Sequence, residues 1–166
     1  MYESNKPYPK VLVQKRNPHY AKLLLVDYAG ICSEETAIHE YFYQSLMVDD
    51  KELSKTLMQI SKVEMHHLNL IGKAILLLGI KPVFGVLGNN SLTTWTSKYV
   101  DYSVKIEDML KIDIRSEKLA IDTYQKHIKE IDDKYIKALL ERIIEDEIIH
   151  IKILYSYLKK LKVVND

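Results

Sequence analysis

Apolar positions recur at helical spacing along most of this chain. Around Glu34 the i+3, i+4 and i+7 positions are Ala37, Ile38 and Tyr41; around Glu117 the same face carries Ile114, Ala120, Ile121 and Tyr124. Glu64 shares its stripe with Ile60, His67, Leu68 and Ile71, and Glu147 shares one with Ile143, Ile144, His150, Ile151 and Leu154. A helix gathers such positions on one face, which packs inward. The pattern predicts four long helices. The first starts at Asn17-Pro18, a capping residue followed by a proline at the first helical position, and runs to about Met47, about 45 Å at the helical rise. The second starts at Asp49 to Glu52, spaced as an acidic capping box, and stops at Gly79 with Pro82 beyond it. The third runs from about Ser103 to Lys129. The fourth starts at Asp132-Asp133 and reaches about Leu161, ending in lysines that suit the helix dipole.

Residues 1–16 read as an extended arm lying on the rest of the chain or on a neighbouring copy, and 17–166 as one bundle. The Val11-Leu12-Val13 alternation is too brief for a strand. Residues 80–102, with Gly85, Gly88, Asn89-Asn90 and Trp95, form the one long irregular stretch, pinned by Trp95. Short links pair helix one with two and three with four, and the long crossover between the second and third carries the chain to the other end of an all-α four-helix bundle.

Composition narrows this further. The 166 residues include only 5 Gly and 4 Pro, none of them between residues 89 and 166, which excludes loop-rich and β-sandwich architectures. Gly30 and Gly72 fall inside helical spans and are expected to mark close packing or access to the core. With 24 Lys+Arg against 23 Asp+Glu no basic block stands out, so nucleic acid is not an expected partner. The longest aliphatic run, around Ala74 to Leu78, is too short for a bilayer, and no signal peptide precedes it, so a soluble cytoplasmic protein is expected. A single cysteine, Cys32, read as a buried small hydrophobe, leaves no disulfide and no Cys-x-x-Cys site.

The chemistry lies in an internal repeat. Ser33-Glu34, Ala37-Ile38 and Tyr41 recur 83 positions later as Ser116-Glu117, Ala120-Ile121 and Tyr124, and Glu64-x-x-His67 recurs at the same offset as Glu147-x-x-His150. Two copies of one helical hairpin therefore place four Glu and two His on inward faces. Buried unpaired carboxylates cost several kcal/mol each and repel one another. No basic residue recurs on the stripes, but two divalent cations would balance four carboxylates and two neutral imidazoles. One Glu from each of two helices and Glu-x-x-His from each of the others is a di-iron or di-manganese carboxylate pattern.

The stretch from Glu34 to Phe42 resembles the first-helix motif of bacterioferritins, and Val63-Glu64-Met65-His66-His67 their second. Met109-Leu110-x-x-Asp113-Ile114-x-x-Glu117 and Asp146-Glu147-x-x-His150-Ile151 complete the set. The resemblance spans about residues 20–160 and extends to rubrerythrins and manganese catalases, all ferritin-like proteins. It implies that Glu34 and His67 serve one metal, Glu117 and His150 the other, and that Glu64 and Glu147 bridge and carry the reaction. Ala120 stands where rubrerythrins have a further carboxylate, and their four-Cys domain has no counterpart here. The chain ends 16 residues after His150, so a ferritin-type storage shell is not expected.

Around these six, Glu35 and the other helix charges read as solvated, and His66 as surface or subunit contact. Met65, at the position of the bacterioferritin haem ligand, reads as packing, so no haem is expected. Tyr41 and Tyr124 read as core aromatics with a second role bonding a site carboxylate. Asp146 could orient a ligand His, although its repeat partner Val63 could not. The first functional reading is an oxidoreductase with two Fe or Mn ions acting on peroxide or O2 by rubrerythrin- or ferroxidase-type di-iron chemistry, with an external electron donor. The alternatives are manganese catalase-like disproportionation and a non-catalytic helical scaffold or coat protein. A homo-oligomer is expected, with neither nucleic acid nor membrane as partner.

Overall fold

The structure, a computed structural model, describes residues 1–88 and 91–165; the Asn89-Asn90 pair lies outside them. Helices α1 (Pro18–Ala29), α2 (Glu34–Met47), α3 (Lys51–Leu78), α4 (Ile106–Glu130) and α5 (Lys134–Asn165) make a bundle with four rods, because α1 and α2 follow one another along α3. α2 pairs with α3 and α4 with α5, as short links dictate. No helix among the described residues is long and apolar enough to cross a membrane.

The expected continuous first helix is broken at residues 30–33. Gly30 ends α1 in extended geometry (φ −81°, ψ −165°), and a Cβ there would sit 2.5 Å from the Val26 carbonyl oxygen. Ser33 restarts the chain as α2, its hydroxyl accepting from the Thr36 N–H and donating to the Gly30 carbonyl, with Glu34 and Glu35 in a first turn that favours negative charge. Gly30 is thus a helix end rather than a helix interior. Gly72 does mark close packing, since a Cβ there would lie 3.1 Å from the Tyr28 ring.

Other ends shift by smaller amounts. Asp50, not Asp49, caps α3 by accepting from the Glu52 and Leu53 N–H groups, and Gly79 ends it at φ 101°, the left-handed region where a Cβ is costly. α4 starts at Ile106 with no side-chain cap, and α5 continues beyond Leu161 to Asn165. The crossover is less irregular than its composition suggests. It folds into a two-stranded antiparallel hairpin, β1 (Gly85–Leu87) with β2 (Leu92–Thr94) in register Val86 to Thr93, then a single 3-10 turn. Trp95 pins it to α2, its indole N–H donating to Thr36 Oγ1 at 3.0 Å.

The core consists of two apolar plugs. Leu24, Leu25, Ile71, Ile75, Leu78, Ile136 and Leu140 fill one end, and Leu53, Leu57, Ile60, Met109, Leu110 and Leu154 the other. On α3 the step from Ile60 to Ile71 crosses from one plug to the other, and Glu64 and His67 lie between them; on α5 the step from Ile143 to Leu154 does the same around Glu147 and His150. A polar layer is thereby closed between two dry ones.

Candidate metal centre

All six repeat-encoded residues meet in that layer, and none is more than 4% exposed. They form two overlapping groups, Glu34–Glu64–His67–Glu147 and Glu64–Glu117–Glu147–His150, in each of which one ligand atom per residue lies within 4.8 Å of the others. Glu64 and Glu147 belong to both. Register explains the overlap: the two Glu-x-x-His pairs project from α3 and α5 in the middle of the bundle, while Glu34 begins α2 and Glu117 sits mid-α4.

Both imidazoles are turned the same way. His67 Nδ1 lies 3.0 Å from Glu64, 3.4 Å from Glu147 and 3.5 Å from Glu34. His150 Nδ1 lies 2.8 Å from Glu64, 3.0 Å from Glu147 and 3.5 Å from Glu117. The outer nitrogens are already engaged. His150 Nε2–H donates to the Tyr2 backbone carbonyl at 3.0 Å, and His67 Nε2–H donates to Asp146 Oδ2 at 3.0 Å. A neutral imidazole has one N–H, so with the outer nitrogens as donors a neutral ring would turn its Nδ1 lone pair towards the carboxylates. Four acids and two inward Nδ1 atoms need protons or metal cations between them.

The electrostatics show the same deficit of positive charge. Burial, then the charges of Glu64 and Glu147, raise Glu34 well above the usual carboxylate range, with His67 opposing. Burial with Glu147 and Glu64 pushes Glu117 up to about 8. Burial raises Glu64 too, but His150 and His67 outweigh it and hold that carboxyl below its ordinary value. Burial lowers both imidazoles, and the surrounding carboxylates overcome it and raise them well above the ordinary value. Without metal the cluster is therefore held by shared protons. Glu64 Oε1, though 2.8 Å from His150 Nδ1, is buried with no hydrogen bond of proper geometry. An orphaned buried carboxylate oxygen beside two inward Nδ1 atoms fits a pair of oxygen- and nitrogen-ligated divalent cations.

The tyrosines cross between the two halves of the repeat. Tyr41 O–H donates to Glu117 and Tyr124 O–H to Glu34, so each copy orients the other copy's lone carboxylate. Asp146 does orient a histidine, and sequence symmetry missed it because its partner at position 63 is Val. Two further corrections concern charges. Glu35 is not solvated but nearly buried, bonded to His39 Nε2 at 2.9 Å, and Glu40 is buried, accepting from the Asp101 N–H. Met65 and His66 are exposed, the His66 ring packing edge-on against Tyr8.

A cavity of about 280 Å³ opens on the carboxylate side of the centre. All four Glu line it with Tyr41 and Tyr124, and Ile31, Cys32 and residues 98–101 complete its lining. Cys32 is half-buried in its wall, rather than packed in the core as expected. The break after Gly30 thus places a loop, instead of a closed helix face, beside the centre.

Comparison with known proteins identifies the fold and family. The chain is 27% identical to the probable manganese catalase of Clostridium acetobutylicum over 92% of its own length and 76% of that protein. Its fold superimposes on a manganese catalase from Anabaena with a TM-score of 0.87 at 25% identity, covering 98% of this chain and 81% of the other. It superimposes on the bacterioferritin of Desulfovibrio desulfuricans with a TM-score of 0.76 at 25% identity, covering 91% and 84%. A family model described as a ferritin-like domain matches residues 29–164. Since that match takes in all six convergent side chains and both tyrosines that bond them, the chain belongs to the ferritin-like domain family.

Proposed function

We propose that the chain is a dinuclear metal oxidoreductase acting on hydrogen peroxide, in the manner of a manganese catalase. The observation that supports it is the pair of inward Nδ1 atoms, their rings fixed by outer Nε2 bonds, set among four buried carboxylates around an orphaned Glu64 oxygen. In this reading Glu34 and His67 would hold one cation and Glu117 and His150 the other, with Glu64 and Glu147, which belong to both groups, serving both. Bound there, the metal pair supplies two-electron redox chemistry at a site open to a small molecule.

The chain's own residues hold and orient. Tyr41 and Tyr124, whose hydroxyls burial and the nearby carboxylates keep protonated, lock Glu117 and Glu34 in place by donation. The apolar plugs exclude bulk water from two sides, and the 280 Å³ cavity admits peroxide from the third. Disproportionation balances without a donor: one peroxide gives up two electrons and two protons as O2, and the other takes them to become two waters.

Manganese is preferred over the di-iron reading because the likeness to the Anabaena manganese catalase spans 98% of the chain, against 91% for the bacterioferritin. Di-iron ferroxidase or peroxidase chemistry with an external donor is the second reading, favoured by that bacterioferritin likeness. Metal analysis of purified protein with an oxygen electrode separates them. Two manganese per chain with one O2 released per two peroxides is expected. Iron with Fe(II) oxidation and no O2 release would favour the second reading. Metal content unchanged in a Glu64→Ala, Glu147→Ala chain would sink both and leave a helical scaffold.

A further inference from the structure

We propose that residues 2–8 of the N-terminal arm are a working part of the dinuclear centre, coupled to it so that arm docking and cation binding strengthen one another; this rests on the dinuclear reading above. The position of the single N–H on each imidazole decides which nitrogen can ligate. For His150 that choice is made by the Tyr2 carbonyl, a pure acceptor 3.0 Å from Nε2. For His67 it is made by Asp146, and the arm holds Asp146. Tyr8 O–H donates to Asp146 Oδ2 at 2.6 Å, and the Ser4 N–H donates to Oδ1 at 2.6 Å.

A further buried residue fastens the arm. Arg142, one helical turn before Asp146 on α5, pairs with Asp146 Oδ1 at 2.6 Å. Its Nε donates to the Lys6 carbonyl at 2.9 Å, its Nη2 donates to the Ser4 carbonyl at 3.0 Å, and its guanidinium lies 4.0 Å over the Tyr8 ring. The repeat supplies nothing equivalent: the positions matching Asp146 and Arg142 in the first half are Val63 and Gln59. Duplicated hairpins thus bring six ligand candidates but leave both histidines without a symmetric outer partner, and the arm completes the set. No arm residue lines the cavity, so these are positioning residues that act through the imidazoles. Outer partners of this kind alter metal affinity by roughly 10–100-fold. Linkage is reciprocal, so a cation bound at Nδ1 must favour the docked arm by the same factor.

Mn2+ is the probe. Its affinity is measured by chelator competition in the full wild-type chain, in Tyr8→Phe, which keeps the ring over Arg142 but loses the hydroxyl's bonds to Asp146 and His67 Nε2, and in a chain lacking residues 2–8. Amide exchange across residues 2–8 of the wild-type chain is followed with and without Mn2+. Binding weakened roughly 10–100-fold without the arm, a smaller loss in Tyr8→Phe, and slower exchange at Ser4 on adding Mn2+ would bear the proposal out. An arm that is merely structural would lower the melting of metal-free and loaded forms alike and move neither affinity nor Mn2+-dependent exchange. Two Mn2+ bound equally tightly by all three chains, with arm exchange indifferent to Mn2+, overturns the coupling alone. A wild-type chain that binds no cation overturns the dinuclear reading and the coupling with it. Should the shortened chain fail to fold, Tyr8→Phe and the exchange measurement still decide.

Discussion

The hydroxyls of Tyr41 and Tyr124 each donate to a carboxylate carried by the opposite half of the repeat, so removing one oxygen atom isolates a single bond in the centre. Tyr41→Phe and Tyr124→Phe are each expected to weaken Mn2+ binding by roughly 10–100-fold while leaving helix content unchanged, as titration followed by circular dichroism would show. Similar affinity in both variants and the parent would mean that the carboxylates are held by packing alone. A second buried pair lies outside the centre. Asp27 Oδ2 is 2.7 Å from His127 Nδ1, Asp27 Oδ1 has no partner, and burial pushes Asp27 up to about 6 despite His127. Unfolding releases the proton, since an exposed Asp titrates near 4. The native state therefore binds more protons between these values, and this group's contribution falls as pH rises from about 4 to about 6, by up to about 3 kcal/mol. Asp27→Asn is expected to remove that part of the slope, measured by denaturant unfolding of metal-free protein. Parallel curves for the two proteins would refute it. Neither this pair nor the Gln44–Asp113 bond at 2.8 Å was legible in the sequence, because helical periodicity marks a position as inward without naming its partner across the bundle.

Helices carry most of what periodicity could reveal, and their ends carry most of what it obscured. The stripes around Glu64 and Glu147 run unbroken, and α3 and α5 follow them. The stripe around Glu34 continues into α1 at nearly the same phase, so a pattern of apolar positions passes over the stop at Gly30 and the restart at Ser33. Local capping chemistry, Gly30 and then Ser33-Glu34-Glu35 three residues on, was the available signal. Ser33→Ala removes the N-cap and the bond to the Gly30 carbonyl together. A loss of about 1 kcal/mol is expected, seen as a melting point lower by about 2–4 °C for a chain of this size. An unchanged melting point would place the break under the control of Gly30 and the Trp95 bond to Thr36 instead.

At the scale of the molecule, a layer of four Glu and two His between two apolar plugs makes folding and the proposed metal loading one problem. Ligand that binds only the folded state stabilises it by about 2.7 kcal/mol at a concentration one hundred times its dissociation constant. Chelation of a loaded sample is thus expected to lower the melting point by about 5–10 °C, the same change of state measured in heat. A chelated protein that melts where the loaded one does would separate the cluster from stability. The sequence by itself determined the all-α class, the duplication and all six converging residues, because a repeat of 83 positions and the 3.6-residue period are properties of the chain taken locally. Tertiary structure alone decided what surrounds them: that Tyr41 serves Glu117, that Tyr2 and Tyr8 reach His150 and Asp146 across some 140 residues of chain, and that the cavity opens beside Cys32. Those are contacts between segments with no common period, and only packing brings them together.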